Sequence, residues 1–206
     1  MNAAIAISET RRGVERKIKV YTLAEYLLKE ERSVEKHEFY NGQIVKTGNA
    51  KFIHNQVSGN TYHALRSAIK PLPTKYLAVG DGQKIYIEPE NVSVYPDALV
   101  ICTHPEYWNG RRELITNPLL IVEVLSRSTA GYDRGAKFDL YKLLPSFKEY
   151  VLIDVKRAMV ETRFREQEDL WRIKIENDIE GMVALRSLGV EICLRDIYED
   201  VEFEGK

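Results

Sequence analysis

Two carboxylates stand where carboxylates are costly. Asp97 falls in the run Ser93-Val-Tyr-Pro-Asp97-Ala-Leu-Val-Ile-Cys102, and Glu123 in Asn117-Pro-Leu-Leu-Ile-Val-Glu123-Val-Leu-Ser126. Each run is short, aliphatic and bounded by turn residues, which predicts two buried strands. An acidic side chain within such a run must be paired, hydrogen-bonded or metal-bound. Two of them, one per run, ask for a shared explanation, and a divalent metal is the economical one. Taken singly, Asp97 reads equally as a turn carboxylate after Pro96, and Glu123 as half of a buried ion pair.

The elements that must position them follow from the rest of the chain. With 206 residues and 44% hydrophobic content, the sequence supports one domain over residues 1–206 with a sizeable core. The start, with Arg11, Arg12, Arg16, Lys17 and Lys19, is polar and expected to be loose over about residues 1–20. Thr22-Leu-Ala-Glu25 is a capping box that opens a helix to about Glu31. Asn41-Gly42, between alternating residues, marks a hairpin whose first arm carries Glu38. From Lys51 to Ile69 the apolar spacing is helical, ended by Pro71 and Pro73.

Tyr76–Val79 and Lys84–Ile87 alternate on either side of Gly80-Asp-Gly82, which predicts a second hairpin leading into the Asp97 strand. Beyond Glu123, Ser128 or Thr129 caps a helix reaching Leu143, stopped by Pro145. Tyr150–Asp154 is a further buried strand. Met159–Arg165 and Leu170–Ile175 make a terminal hairpin, and residues 188–203 a short strand and a helical turn. The expected fold is α/β, one central mixed sheet flanked by helices.

Charge and cysteine content exclude some classes. The formal net charge is −1, so any nucleic-acid surface has to be local. Arg163, Arg165, Arg172 and Lys174 are expected on one face of the terminal hairpin, as a phosphate-facing patch or as an ordinary solvated face. Cys102 and Cys193 read as small core residues in a reducing compartment. No segment approaches the roughly 20 apolar residues of a membrane span, and residues 1–19 lack a signal-peptide core, which predicts a cytoplasmic protein.

Four ordered blocks carry a family resemblance. They are Tyr95-Pro-Asp97, Leu119-Leu-Ile-Val-Glu123-Val-Leu-Ser-Arg-Ser-Thr129, Asp133-x-x-x-Lys137-x-x-x-Tyr141 and Lys148-Glu-Tyr-Val-Leu-Ile-Asp154. Together they resemble the Uma-two family of restriction endonucleases, within the PD-(D/E)xK nuclease superfamily, over residues 22 to about 198. The resemblance implies a restriction-endonuclease-like fold, phosphodiester cleavage in DNA, and Mg²⁺ or Mn²⁺ held by Asp97 and Glu123. It further implies the Val124 carbonyl as an additional ligand and Glu38 as the acidic residue the superfamily often adds. A homodimer is expected, because cutting both strands calls for two sites related by a two-fold axis.

The chain departs from the superfamily pattern at one position. The lysine two residues after the second carboxylate is replaced by Leu125, which can neither donate a proton nor carry charge. Lys137 is the nearest substitute to assist the attacking water, with Lys84 and Lys142 as other candidates. Asp133, Lys137 and Tyr141 share a helical face, although an i,i+4 Asp–Lys pair is also a common surface feature. His54 and His63, on one helix with no ligand cluster at zinc spacing, read as packing or surface residues. His37, beside Glu38, points to the other side of its strand. Ser126 and Ser128 lack a nucleophile elbow, and no phosphate-binding glycine loop is present. Three functions remain open: a metal-dependent endonuclease, a nuclease-fold protein that binds nucleic acid without cutting, and a structural or assembly module.

Overall fold

The computed structural model describes residues 19–48 and 50–203. Most of the N-terminal stretch expected to be loose lies outside the described residues. Helix α1 (Leu23–Glu30) begins at the capping box: the Glu25 amide donates to Thr22 Oγ1 at 3.2 Å, and the Thr22 amide donates to the Glu25 carboxylate at 2.8 Å. Strands β1 (His37–Tyr40) and β2 (Gln43–Lys46) form the expected hairpin. Its turn residues Asn41 and Gly42 have φ of 43° and 100°. At Gly42 a side chain is also excluded by space, since a Cβ would stand 2.5 Å from Val20 Cγ1.

The long helix α2 (Phe52–Ile69) follows, then β3 (Tyr76–Gly80), β4 (Lys84–Ile87), β5 (Val92–Val94) and β6 (Ala98–Cys102). Next come β7 (Leu114–Ile115), β8 (Leu120–Leu125), α3 (Ala130–Arg134), α4 (Ala136–Lys142) and β9 (Glu149–Asp154). The chain closes with β10 (Val160–Arg165), β11 (Trp171–Glu176), β12 (Met182–Leu185), β13 (Val190–Cys193) and α5 (Leu194–Ile197). Among the described residues no helix is long and apolar enough to cross a membrane.

The central sheet has six strands in the order β11-β10-β9-β8-β6-β3, with β8 and β9 parallel and the other neighbours antiparallel. Period-two alternation sorts its side chains. Val100, Val122, Val124 and Val151 face α2, where Val57 and Leu65 meet them. Leu99, Ile121, Leu125 and Leu152 face the other way, onto Phe138 and Tyr141 of α4. The same layer contains Ile85, Ile87 and Val94 from a second sheet, ordered β2-β1-β5-β4-β7. Each of these fully buried aliphatics contributes about 1.5–3 kcal/mol. Glu123 follows Val122 in the alternation and therefore points to the α4 side.

Several details differ from the sequence reading. β3 and β4 do not pair: β3 lies beside β6 at the edge of the central sheet, while β4 lies between β5 and β7 in the second. Gly80-Asp-Gly82 has hairpin chemistry, but Ile85, Tyr86 and Ile87 are buried and require neighbours on both sides. The run carrying Asp97 is likewise two strands. Pro96 cannot donate to a ladder, so the chain leaves the second sheet after Val94 and enters the central one at Ala98.

The helix expected to reach Leu143 breaks at Gly135, whose φ and ψ of −113° and −99° lie outside the helical region. The basic residues of the terminal hairpin divide between its faces. Arg163 and Arg165 stand opposite Ile173 and Trp171, whereas Arg172 and Lys174 stand opposite Phe164 and Thr162. A directly opposed pair shares a face, so no four-residue basic stripe exists there. The closing segment also holds one more strand than expected, since β12 pairs with β13.

Candidate active site

The site lies where the two sheets meet. Tyr95-Pro-Asp97 carries the chain from β5 to β6, and α4 covers the junction. Asp97 is fixed by the neighbouring strand: its amide donates to the Val122 carbonyl at 3.2 Å, and its Oδ2 accepts the Val124 amide at 2.7 Å. The β6 pairing with β8 starts at Ala98, opposite Val122, so the Val124 amide lies beyond the ladder and is taken by the Asp97 side chain. Glu123, one residue along β8, is buried; its Oε1 accepts the Tyr141 hydroxyl at 2.8 Å and lies 2.8 Å from Lys137 Nζ.

Lys137 is held from several sides. Its ammonium donates to the Tyr95 carbonyl at 3.2 Å and lies 3.7 Å from Glu38 Oε1 and 3.9 Å from Asp133 Oδ1. Glu38 reaches in from β1, where its Oε1 accepts the Tyr95 amide and its Oε2 the Tyr40 hydroxyl. Tyr40 in turn meets Tyr132 of α3, hydroxyl to hydroxyl, at 2.7 Å. Despite the break at Gly135, Asp133, Lys137 and Tyr141 are all buried on the expected face. The other candidate lysines lie elsewhere: Lys84 rests over the Tyr95 ring at 5.0 Å, and Lys142 pairs with Asp139 at 2.6 Å.

This cluster holds more carboxylates than cations, and its proton affinities follow. Burial pushes Glu123 well above the ordinary carboxylate value, with Asp97 and Asp133 adding to the shift and Lys137 only partly opposing it. Burial likewise raises Asp133. Burial alone would lower Lys137, but Glu123, Glu38 and Asp133 outweigh it and raise it above its usual value, so it remains an ammonium ion. Burial and the nearby carboxylates also raise Tyr141, which remains a donor to Glu123.

Among the described residues, no three His, Cys, Asp or Glu side chains are grouped as a ready metal cage. The donor set nevertheless fits Mg²⁺. That ion takes hard oxygen ligands, needs only one or two carboxylates, and fills its shell with water and substrate phosphate. Three carboxylates, Glu38, Glu123 and Asp133, face the one lysine with Asp97 close by, a concentration of acid that a divalent cation would help to neutralise.

Comparison with known proteins places the chain in a family. A family model described as "Uma2: Putative restriction endonuclease" matches residues 23–194. The chain belongs to the Uma2 family. Two Synechocystis proteins are relatives. The uncharacterized protein sll1609 is 37% identical over 136 residues, covering 66% of this chain and 76% of its own. The uncharacterized protein slr1290 is 31% identical over 185 residues, covering 87% and 92%. A crystal structure from Anabaena variabilis, described as "a putative nuclease belonging to DUF820", superposes with a TM-score of 0.65. It is 18% identical and covers 86% of this chain and 97% of its own, a likeness of fold.

Within this Uma2 fold one site member escaped the sequence reading. His54, in the first turn of α2, brings Nε2 to 3.5 Å from Asp97 Oδ2. Burial works against a charged ring there, but Asp97 outweighs it, helped by the Val124 carbonyl, and raises the His54 pKa above its usual value. Its Nδ1 is buried without a hydrogen-bond partner. Its spacing along the chain gave no sign of this contact, because His54 meets Asp97 only where α2 approaches the link into β6.

Proposed function

We propose that this chain is a Mg²⁺-dependent DNA endonuclease, with Mn²⁺ an acceptable replacement. The observation that carries the reading is the convergence of Lys137, from a helix, on Glu123, Glu38 and Asp133 beside Asp97. Asp97 and Glu123 would hold the cation, with Glu38 completing the acidic set. The Val124 carbonyl leaves β8 on the same side as the amide that Asp97 accepts, which suits it as a further ligand. When bound, Mg²⁺ supplies Lewis-acid polarisation of the scissile phosphate and neutralises its charge.

The protein's own groups supply the rest. The raised Lys137 pKa makes it a poor base and a persistent donor, so it orients the attacking water and stabilises the negative charge that grows on phosphate oxygens. Tyr141 keeps Glu123 in place, and the Tyr95 amide and Tyr40 hydroxyl do the same for Glu38. The side chains of Asp97 and His54 are 18% and 16% exposed, against 5% for Glu123, so substrate meets the site from the Asp97 side.

The experiment is plasmid cleavage. Purified protein should convert supercoiled DNA to nicked or linear product with Mg²⁺ or Mn²⁺, and Asp97→Ala should not. Salt-sensitive DNA binding without product at any metal concentration would replace this reading with a non-cutting one.

A further inference from the structure

Helix α2 and strand β3 both begin or end at the candidate site. His54, in the first turn of α2, touches Asp97, and Gly80, the last residue of β3, stands opposite Ala98. From there the two elements run off side by side, and a groove of about 720 Å³ lies between them. Its lining includes His63, Arg66, Lys70 and Lys75 and contains no Asp or Glu. His63, Arg66 and Lys70 are spaced i, i+3, i+7, which puts them along one side of the helix. All four are exposed.

Two features bear on what this groove could hold. Among the described residues Arg66, Lys70 and Lys75 form no ion pair, a property they share with scattered cations such as Lys148, Lys156 and Lys174, but these three line one groove together. In a chain of net charge −1, unpaired cations gathered on one acid-free surface have no internal partner to serve. The groove also contains Tyr62 and Tyr76, half-buried rings that offer flat apolar contact beside the charges. The Arg66 guanidinium lies 5.9 Å from the centre of the Tyr62 ring and is steadied by it.

We infer that this groove is the track for the phosphodiester backbone of duplex DNA flanking the scissile bond, with Arg66, Lys70 and Lys75 each meeting a phosphate. The inference rests on the nuclease reading and extends it to where the substrate runs. At about 1.5 Å per residue, His54 to Lys70 spans about 24 Å, or about seven nucleotides at 3.4 Å along one strand. The groove itself stops at Tyr62 and Ala78, and a polyanion continued from there toward the start of α2 would reach Asp97 beside His54. A carboxylate polymer gains nothing at that end, where it meets further carboxylates, whereas a phosphodiester meets the groups that would act on it.

The test is anisotropy of a short labelled duplex between 50 and 200 mM salt, with Ca²⁺ replacing Mg²⁺. The full chain is compared with Arg66→Gln/Lys70→Gln/Lys75→Gln and with Arg172→Gln/Lys174→Gln on the terminal hairpin. Three lost phosphate contacts should flatten the log–log salt slope by roughly 2 to 3 and weaken binding about ten-fold or more at the low-salt end. The hairpin variant should keep the native slope. If the triple variant melts early, Lys70→Gln alone should flatten the slope by about 1.

Native slope and affinity in the groove variants, with the unaltered chain binding DNA, would overturn the track and leave the nuclease reading standing. No DNA binding by the unaltered chain at any salt concentration would remove both. Displacement of the duplex by polyglutamate as readily as by unlabelled DNA would assign the groove to an acidic polypeptide instead.

Discussion

Lys137 Nζ lies 2.8 Å from Glu123 Oε1 although the two residues belong to different elements, one on α4 and the other on β8. The strand position where a superfamily lysine would stand carries Leu125, buried in the same apolar layer as Phe138 of α4. A helix has therefore delivered an ammonium to a carboxylate that the strand leaves without one.

Replacing Lys137 with methionine should retain the stem's apolar contacts and remove the charge. If Lys137 is the charge-stabilising donor, cleavage should fall by about 10² to 10⁴. Glu123, Glu38 and Asp133 would then face one another uncompensated, and breaking a buried pair from one side costs about 3–5 kcal/mol. At about 2–4 °C per kcal/mol, the melting temperature should drop visibly. Cleavage at the native rate in Lys137→Met would remove the lysine from the mechanism.

Glu123 gives a pH-dependent expectation. Burial, with Asp97 and Asp133, raises it well above its ordinary value of 4.5. A carboxyl raised in the folded state favours folding while protonated, so this contribution is full below 4.5 and is lost as pH rises through the folded value. In EDTA, Glu123→Gln should gain in melting temperature relative to the native chain as pH rises from mildly acidic to neutral. Mg²⁺ should then stabilise the native chain, by about 2.7 kcal/mol at a hundredfold excess over Kd, and leave the variant nearly unchanged. A melting difference that does not change with pH would contradict the assignment of Glu123 as the overloaded carboxylate.

His54 should matter through Asp97. Groups that orient a metal ligand typically change metal affinity or activity 10- to 100-fold when removed. His54→Ala should weaken Mn²⁺ binding, measured by calorimetry, within about that range and lower cleavage in parallel. His63→Ala, on the same helix but nine residues away, should leave Mn²⁺ binding at the native level. Equal Mn²⁺ affinity in native and His54→Ala chains would reduce His54 to a packing residue.

Much of this was legible in one dimension because the governing physics is local. The Thr22–Glu25 capping box, the Asn41-Gly42 turn and the buried run around Glu123 each carry their own signature. Partners across space do not. Nothing near Gly80-Asp-Gly82 says that β3 will pair with β6 rather than β4, since that choice depends on which strands can cover both edges of Ile85 and Ile87. The split at Pro96 was visible in principle, because a residue without an amide hydrogen interrupts a ladder. His54 was hidden for a different reason: its partner, Asp97, lies 43 positions on, and only the approach of α2 to the β6 entry joins them.

The same contrast between position in sequence and position in space yields a rescue experiment. Leu125 and Glu123 project from the same side of β8, as residues two apart on a strand do. A lysine at position 125 would start beside the carboxylate that Lys137 now serves and reach it along the face where Leu125 packs. In the inactive Lys137→Met background, Leu125→Lys should recover a measurable part of the lost cleavage while lowering the melting temperature, since a buried leucine is exchanged for a charge. Leu125→Met in the same background should recover none. Rescue by both substitutions would mean that packing, not charge, was restored, and rescue by neither in a folded protein would mean that the ammonium must arrive from α4, held by the Tyr95 carbonyl as Lys137 is.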